Sequence, residues 1–268
     1  MMETIIKVDR LSFAYSDTPI LKEVSFEINK GSFTGIIGPN GAGKTTLLKN
    51  MLGLLKYNSG QILIDQKDAK NYSTSEISGK ISYVKQSLDE NTLKVFDYIV
   101  SGRAPYIKKF QLFESEQDIE IAKQYIELLN LEKFENHSLD QLSGGERQLV
   151  QLARSMTQET PIMLLDEPTS HLDISHQIDI MNRLYEINQK MDKTIIMVLH
   201  DLNLAGEYCD ELLLLNQGQI SSQGPPRKVL TYENIESVFN TLVIVKDNPL
   251  SGKPYVIPVT RGMQIEEK

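Results

Sequence analysis

The chain alternates between short, almost wholly apolar runs and longer stretches that carry one apolar face. Ile162 to Leu165 and Thr194 to Leu199 are near-continuous apolar runs, as expected of parallel strands buried on both faces. Phe33 to Ile37 is a third strand-like run. Ile5 to Val8, Val24 to Asn29, Gln61 to Asp65 and Ile81 to Val84 read as further strands, the second with clean period-two alternation. Turn chemistry falls at Ser16 to Pro19 and at Asn58 to Gly60, and Gly31 closes the strand before Phe33. Leu212 to Leu215, Asn216-Gln217-Gly218 and Gln219-Ile220 predict a hairpin.

Helical spacing appears elsewhere. Thr46 to Leu55 predicts a helix, and Ser115 with Asp118 forms a capping-box pattern opening another, whose face carries Ile119, Ala122, Ile126 and Leu129. A later helix is expected to bury Ile174, Ile178, Met181, Leu184 and Tyr185 on one face. From about residue 88 to 156 the texture is helical, which predicts a helical lobe inserted into an α/β core. The tail from about Asn240 bears prolines and lacks strong periodicity. No internal repeat is visible, so 1–268 reads as a single domain.

Composition narrows the setting. At 268 residues the chain has room for one large α/β domain or a core with an inserted lobe. No apolar run approaches the ~20 residues a membrane span needs, and Met1 to Arg10 lacks the apolar core of a signal peptide. Cys209 is the single cysteine, so no internal disulfide is expected and a reducing cytoplasm suits the chain; Cys209 itself reads as a structural residue. A formal charge of −8 argues against a dedicated nucleic-acid binder.

The candidate chemistry begins at Gly38-Pro39-Asn40-Gly41-Ala42-Gly43-Lys44-Thr45, followed by Thr46. It fits G-x-x-x-x-G-K-[ST] at every fixed position, between a strand-like run and a helical one. Glycines let such a loop wrap a phosphate with successive N–H groups pointing inward, and the following helix adds the positive end of its dipole. Lys44 can reach β- and γ-phosphates, and the Thr45 hydroxyl can ligate Mg²⁺. This predicts a nucleoside-triphosphate site.

Two further pieces fit around it. Leu164-Leu165-Asp166-Glu167 ends a buried strand in two acids, where Asp166 suits a Mg²⁺ ligand and Glu167 a base for the attacking water. Taken alone, such an acid pair is as well explained by a helix start. Leu142-Ser143-Gly144-Gly145-Glu146 offers a serine hydroxyl and two glycine amides at a helix N-terminus, a second anion site. One phosphate loop with two anion sites is most simply explained if the second serves the nucleotide of another copy.

With these motifs in order, the chain resembles the ATP-binding subunit of an ABC transporter over nearly its whole length. Gly38 to Thr46 resembles the Walker A loop, Gln86 the Q-loop glutamine, Leu142 to Glu146 the signature motif, and Asp166-Glu167 the end of Walker B. Ser170-His171-Leu172-Asp173 is similar to the D-loop, with histidine where the family often has alanine, and His200 resembles the switch histidine. Tyr15 resembles the aromatic residue that stacks on adenine, with Phe13 as the nearby alternative. His137 and His176 read only as capping or core histidines.

The resemblance implies a P-loop NTPase (RecA-like) core with an N-terminal antiparallel β subdomain and an inserted α-helical subdomain. It implies catalytic roles for Glu167, His200 and Gln86, and Mg²⁺ contacts from Thr45, Gln86 and Asp166. ATP contacts would come from Tyr15, Gly38, Pro39, Asn40, Gly41, Ala42, Gly43, Lys44, Thr45, Thr46, Ser143, Gly144, Gly145 and Asp173. It further implies a head-to-tail dimer with two ATP molecules between the copies. The other partners would be two membrane-spanning permease subunits and, indirectly, an extracytoplasmic substrate-binding protein. The expected location is the cytoplasmic face of the membrane.

Phe96 to Tyr106, with Gly102-Arg103-Ala104-Pro105, resembles the GR-x-P segment of importers for iron–siderophores, haem and cobalamin, although the histidine that often follows is missing. Iron–siderophore uptake is the expected activity. Uptake of haem, cobalamin or metal ions, an exporter subunit, and a soluble ABC ATPase without transport are the alternatives.

Overall fold

A computed structural model of the chain describes residues 3–86, 92–107 and 114–259. Two long strands, β1 (Thr4–Tyr15) and β2 (Thr18–Asn29), turn at Ser16-Asp17 and lead into β3 (Phe33–Ile37), which feeds α1 (Lys44–Met51). There follow β4 (Ser59–Ile64), β5 (Lys67–Asp68), α2 (Thr74–Ser78) and β6 (Ile81–Val84). The helical stretch comprises α3 (Val95–Val100), a 3₁₀ segment Ser101–Tyr106, α4 (Glu116–Leu128) and α5 (Gly144–Thr157). The chain then alternates through β7 (Ile162–Asp166), α6 (Ile174–Met191), β8 (Thr194–Val198), α7 (Leu202–Tyr208) and β9 (Glu211–Asn216). It ends with β10 (Gln219–Gly224), α8 (Pro226–Val229), α9 (Tyr232–Phe239) and a hairpin of β11 (Val243–Asp247) and β12 (Pro254–Pro258).

Two larger sheets organise these elements. One is antiparallel, in the order β2-β1-β4-β5. The other has the order β10-β9-β3-β8-β7-β6, parallel except for the edge strand β10. The apolar runs behave as their composition requires. Met163, Leu165, Ile195 and Met197 point into a core shared with α3, α4, α5 and α6. Their neighbours Ile162, Leu164, Ile196 and Val198 point into a second core, shared with α1 and the antiparallel sheet. The register sets Ile36 beside Val198 and Val198 beside Asp166, so the carboxyl ends of β3, β8 and β7 finish level. Ligands of open α/β sheets gather at that edge.

Ser115 caps α4 through the expected reciprocal box with Asp118, and Ala122, Ile126 and Leu129 are buried. Other expectations shift. α1 begins at Lys44 and ends at Met51, because Gly43 at φ +104° is its N-cap. Ser59 and Gly60 belong to β4, Gly60 pressing against the backbone of Arg10 in β1. On α6, Met181 and Leu184 are buried with Ile180 and Ile187, whereas Ile174 is 80% exposed and Ile178 and Tyr185 stay on the outside. The buried stripe is thus rotated from the face expected. The tail forms a hairpin as far as it is described: its Val243 and Val256 enter the core, and two strands of only five residues, one beginning and ending in proline, hid the pattern. The expected start of the lobe near Leu88 and the tail beyond Val259 lie outside the described residues.

Candidate active site

β3 ends in the glycine-rich loop. Gly38 has φ +149°, and a Cβ there would lie 2.1 Å from the Leu215 carbonyl oxygen of β9, so only glycine lets the loop leave the sheet at this point. The first-turn amides of α1, Lys44 to Thr46, have no partner within the helix, as at any helix start. The Lys44 ammonium donates to the carbonyls of Gly38 (2.8 Å) and Pro39 (3.1 Å) and so sits in the loop. Burial pulls its pKa down, while the charges of Glu167 and Asp166 act the other way.

Those two acids stand at the end of β7. Asp166 is buried; its Oδ1 accepts from the Thr45 hydroxyl at 3.0 Å and its Oδ2 from the Tyr83 hydroxyl at 3.3 Å. Burial pushes its carboxyl above the usual range, Thr45 opposes this, and the Glu167 charge adds to it. Glu167 has φ +52°, a left-handed backbone uncommon for glutamate, and its carbonyl accepts from both the amide and the hydroxyl of Ser170. Its carboxylate is gripped from two sides. Gln86 Nε2 donates to Oε2 at 2.7 Å, and His200 Nε2 lies 2.5 Å from Oε1. Gln86 follows β6 and His200 follows β8, so the two strands β6 and β8 each deliver one side chain to the carboxylate that follows β7. Lys44, Thr45, Gln86, Asp166, Glu167 and His200 therefore form one cluster.

Ser143 to Gly145 build a separate feature. Ser143 caps α5 in a reciprocal box: its hydroxyl lies 2.7 Å from Glu146 Oε2, and its amide donates to the same oxygen at 2.8 Å. The bonds from the Ser143 amide and hydroxyl hold the Glu146 carboxyl below its ordinary range. A Cβ on Gly145 would lie 2.4 Å from the His176 ring, and one on Gly144 3.5 Å from Leu172. Asp173 caps α6, accepting from the His176 amide and facing its Nδ1 at 2.9 Å, and these bonds hold its carboxyl far down. No hydrogen bond or ion pair among the described residues ties Ser143, Gly144 or Gly145 to the Lys44 cluster.

A loop of this kind facing two acids occurs on many P-loop proteins, so the whole sequence has to decide between them. Residues 21–170 match the family model for ABC transporters. The chain belongs to the ABC transporter family. The petrobactin import ATP-binding protein of Bacillus anthracis is 35% identical over 268 residues, covering 100% of this chain and 98% of that one. The ferric enterobactin transport ATP-binding protein of Escherichia coli is 35% identical over 264 residues, covering 97% of each. Among solved structures, a chain of an inward-facing ABC transporter superposes with a TM-score of 0.85 at 28% identity, covering 97% of this chain and 99% of that one. A dimeric ATP-binding cassette bound to ADP and phosphate superposes at 0.72 and 29% identity, covering 83% and 99%.

Within the fold, some residues gain meaning that the sequence hid. Tyr15, at the end of β1, is 47% exposed and packs edge-on against Phe13 with ring centroids 4.8 Å apart, so its outer face is open. Tyr83 was not singled out by pattern, yet it is the second donor to Asp166; its place one residue before the end of β6, the strand beside β7, was the available signal. His176, expected to be merely structural, touches Gly145 and bonds Asp173. The GR-x-P segment is architectural. Arg103 is buried between Asp118, the Thr157 carbonyl and Glu159, and its guanidinium lies 4.1 Å from the Tyr106 ring centre. Its chain neighbours Gly102, Ala104 and Pro105 line an open groove of about 490 Å³ together with Thr74, Arg154 and Gln158.

Proposed function

We propose that this chain hydrolyses ATP to power an importer of iron–siderophore complexes. The observation that carries the reading is the meeting of Lys44, Thr45, Asp166, Glu167, Gln86 and His200 at the carboxyl edge of the parallel sheet. The amides from Gly41 to Thr46 would cradle the phosphates, with Lys44 turning from the Gly38 and Pro39 carbonyls to β- and γ-oxygens. Tyr15 would stack on adenine. The Thr45 hydroxyl, the Asp166 carboxylate and the Gln86 amide oxygen are hard oxygen donors of the kind Mg²⁺ takes, and the 3.0 Å contact between the first two fits such a site. When bound, Mg²⁺ neutralises charge developing on the transferred phosphoryl group.

Glu167 would take the proton of the attacking water, and His200, already against its Oε1, would orient it and face the γ-phosphate. Ser143, Gly144, Gly145 and Asp173 would act on the ATP held by a second copy in a head-to-tail dimer. That assignment is supported by the lack, among the described residues, of a hydrogen bond or ion pair from Ser143, Gly144 or Gly145 to the Lys44 cluster, and by the likeness to a dimeric cassette. No helix among the described residues is long and apolar enough to cross a membrane, so permease subunits would supply the pathway and this chain would sit on their cytoplasmic face. The groove lined by Gly102, Ala104 and Pro105 would receive a permease segment, with Gln86 passing motion from the helical lobe to Glu167. An extracytoplasmic binding protein would deliver cargo, and no nucleic acid is involved.

The cargo rests on the full-length likeness to petrobactin and ferric enterobactin transport proteins. Uptake of radio-iron as ferric siderophore in cells lacking this chain tests it. Import restored by the parent chain and not by Lys44→Ala supports the reading. Intact iron import with cobalamin uptake lost would replace it.

A further inference from the structure

We infer that the C-terminal hairpin β11–β12 positions His200 for hydrolysis, through Asn203 and Glu207 of α7; the inference rests on the role proposed for His200. His200 lies between two fixed points. On one side Leu199 continues the β8 ladder, its amide donating to the Ile36 carbonyl at 3.1 Å. On the other, Asp201 caps α7 by accepting from the amides of Asn203 (2.8 Å) and Leu204 (3.0 Å). With the sheet rigid, the direction in which His200 projects is set by how α7 is seated.

The hairpin sets that seat. The Asn203 side chain pairs with Val256 of β12 as a neighbouring strand would, accepting from its amide at 2.7 Å and donating to its carbonyl at 3.2 Å. One turn later Gly206 meets the hairpin backbone: a Cβ there would lie 2.9 Å from the Pro254 carbonyl oxygen. At the end of the helix the Glu207 carboxylate accepts from Ser251 (2.8 Å) and Asn248 (3.3 Å), and the Glu207 carbonyl accepts from Lys253. The hairpin is itself held to the body of the protein. Arg227 of α8 pairs with Asp247 at 2.8 Å, and the Val243 amide donates to Glu236 of α9 at 3.1 Å. α7 is thus clamped along its length by a segment that contributes nothing else to the Lys44 cluster. Asn203 and Glu207 are positioning residues, acting on Glu167 only through His200.

A kinetic cycle on the full chain tests this. Asn203→Leu is expected to lower kcat for ATP about 10- to 100-fold, as a small misplacement of a reacting group does, with KM for ATP within about twofold of the parent. In a His200→Ala background, measured by single-turnover hydrolysis, the same substitution should change the rate by less than about twofold, since the group it acts through is gone. Glu207→Ala, which leaves the Val256 pair intact, should give the same pattern and serves if Asn203→Leu does not fold. An equal fall in both backgrounds, or no fall in the first, overturns the inference. A His200→Ala chain that turns over like the parent instead removes the proposed role of His200, and the inference with it.

Discussion

Arg103 and Asp118 form an ion pair inside the helical lobe, Nε to Oδ1 at 2.8 Å, with both side chains more than nine-tenths buried. The pair ties the segment after α3 to the first turn of α4, while the same guanidinium reaches the Thr157 carbonyl at the end of α5. Removing Arg103 leaves the buried Asp118 carboxylate with its Ser115 bonds but without a compensating charge. Arg103→Ala should therefore destabilise the chain by about 3–5 kcal/mol, read from urea denaturation. A loss under about 1 kcal/mol would mean that the lobe does not depend on this staple.

The same pair gives a pH dependence of known sign. Burial alone would raise the Asp118 carboxyl, but hydrogen bonds from Ser115 and Arg103 outweigh it and its pKa is lowered. A lowered carboxyl stabilises the fold above its unfolded value of about 4, and that contribution fades as pH falls through the folded value. The stability gap between the parent and Asp118→Asn should be widest above about pH 5 and should shrink towards pH 3. A gap that stays constant with pH would contradict the assignment.

Nucleotide grip separates into two steps. Lys44→Ala should weaken ATP binding strongly, because the ammonium held in the loop to balance the β- and γ-phosphates is lost. Tyr15→Ala should cost a smaller step of about 1–3 kcal/mol in equilibrium titration with labelled ATP. Parent-like binding in that variant with a loss in Phe13→Ala would move the adenine contact to Phe13.

Local chemistry made most of the site legible. The phosphate loop, the Asp166-Glu167 pair and the Ser115 cap could be read because each is a short run whose function needs those residues at that spacing. Tyr83 and His176 could not, since their partners Asp166 and Gly145 come from distant positions and meet only through sheet register and helix packing. Arg103 was visible as part of a resemblance, but its partners Asp118, Thr157 and Glu159 were not. The stripe of α6 was misplaced because apolar spacing allowed two adjacent faces, and Ile174 lies on the one turned outward.

Sharing of the site between copies is testable by mixing. A Ser143→Arg chain keeps its own Lys44, and a Lys44→Ala chain keeps its own Ser143, so if the site is shared a mixed dimer would hold one complete site. With permease subunits present, the mixture should regain ATP-dependent dimerisation and part of the ATPase activity above either variant alone. No gain, with exchange between dimers demonstrated, would place Ser143 in the service of its own chain.

Hydrolysis by Glu167-aligned water is the centre of the account, and Glu167→Gln tests it most directly. The amide keeps the shape of the side chain and removes the basic oxygen. The account predicts ATP binding like the parent, turnover lower by about 10²–10⁴-fold, and an ATP-bound dimer that accumulates. Turnover near the parent rate in that variant would contradict it.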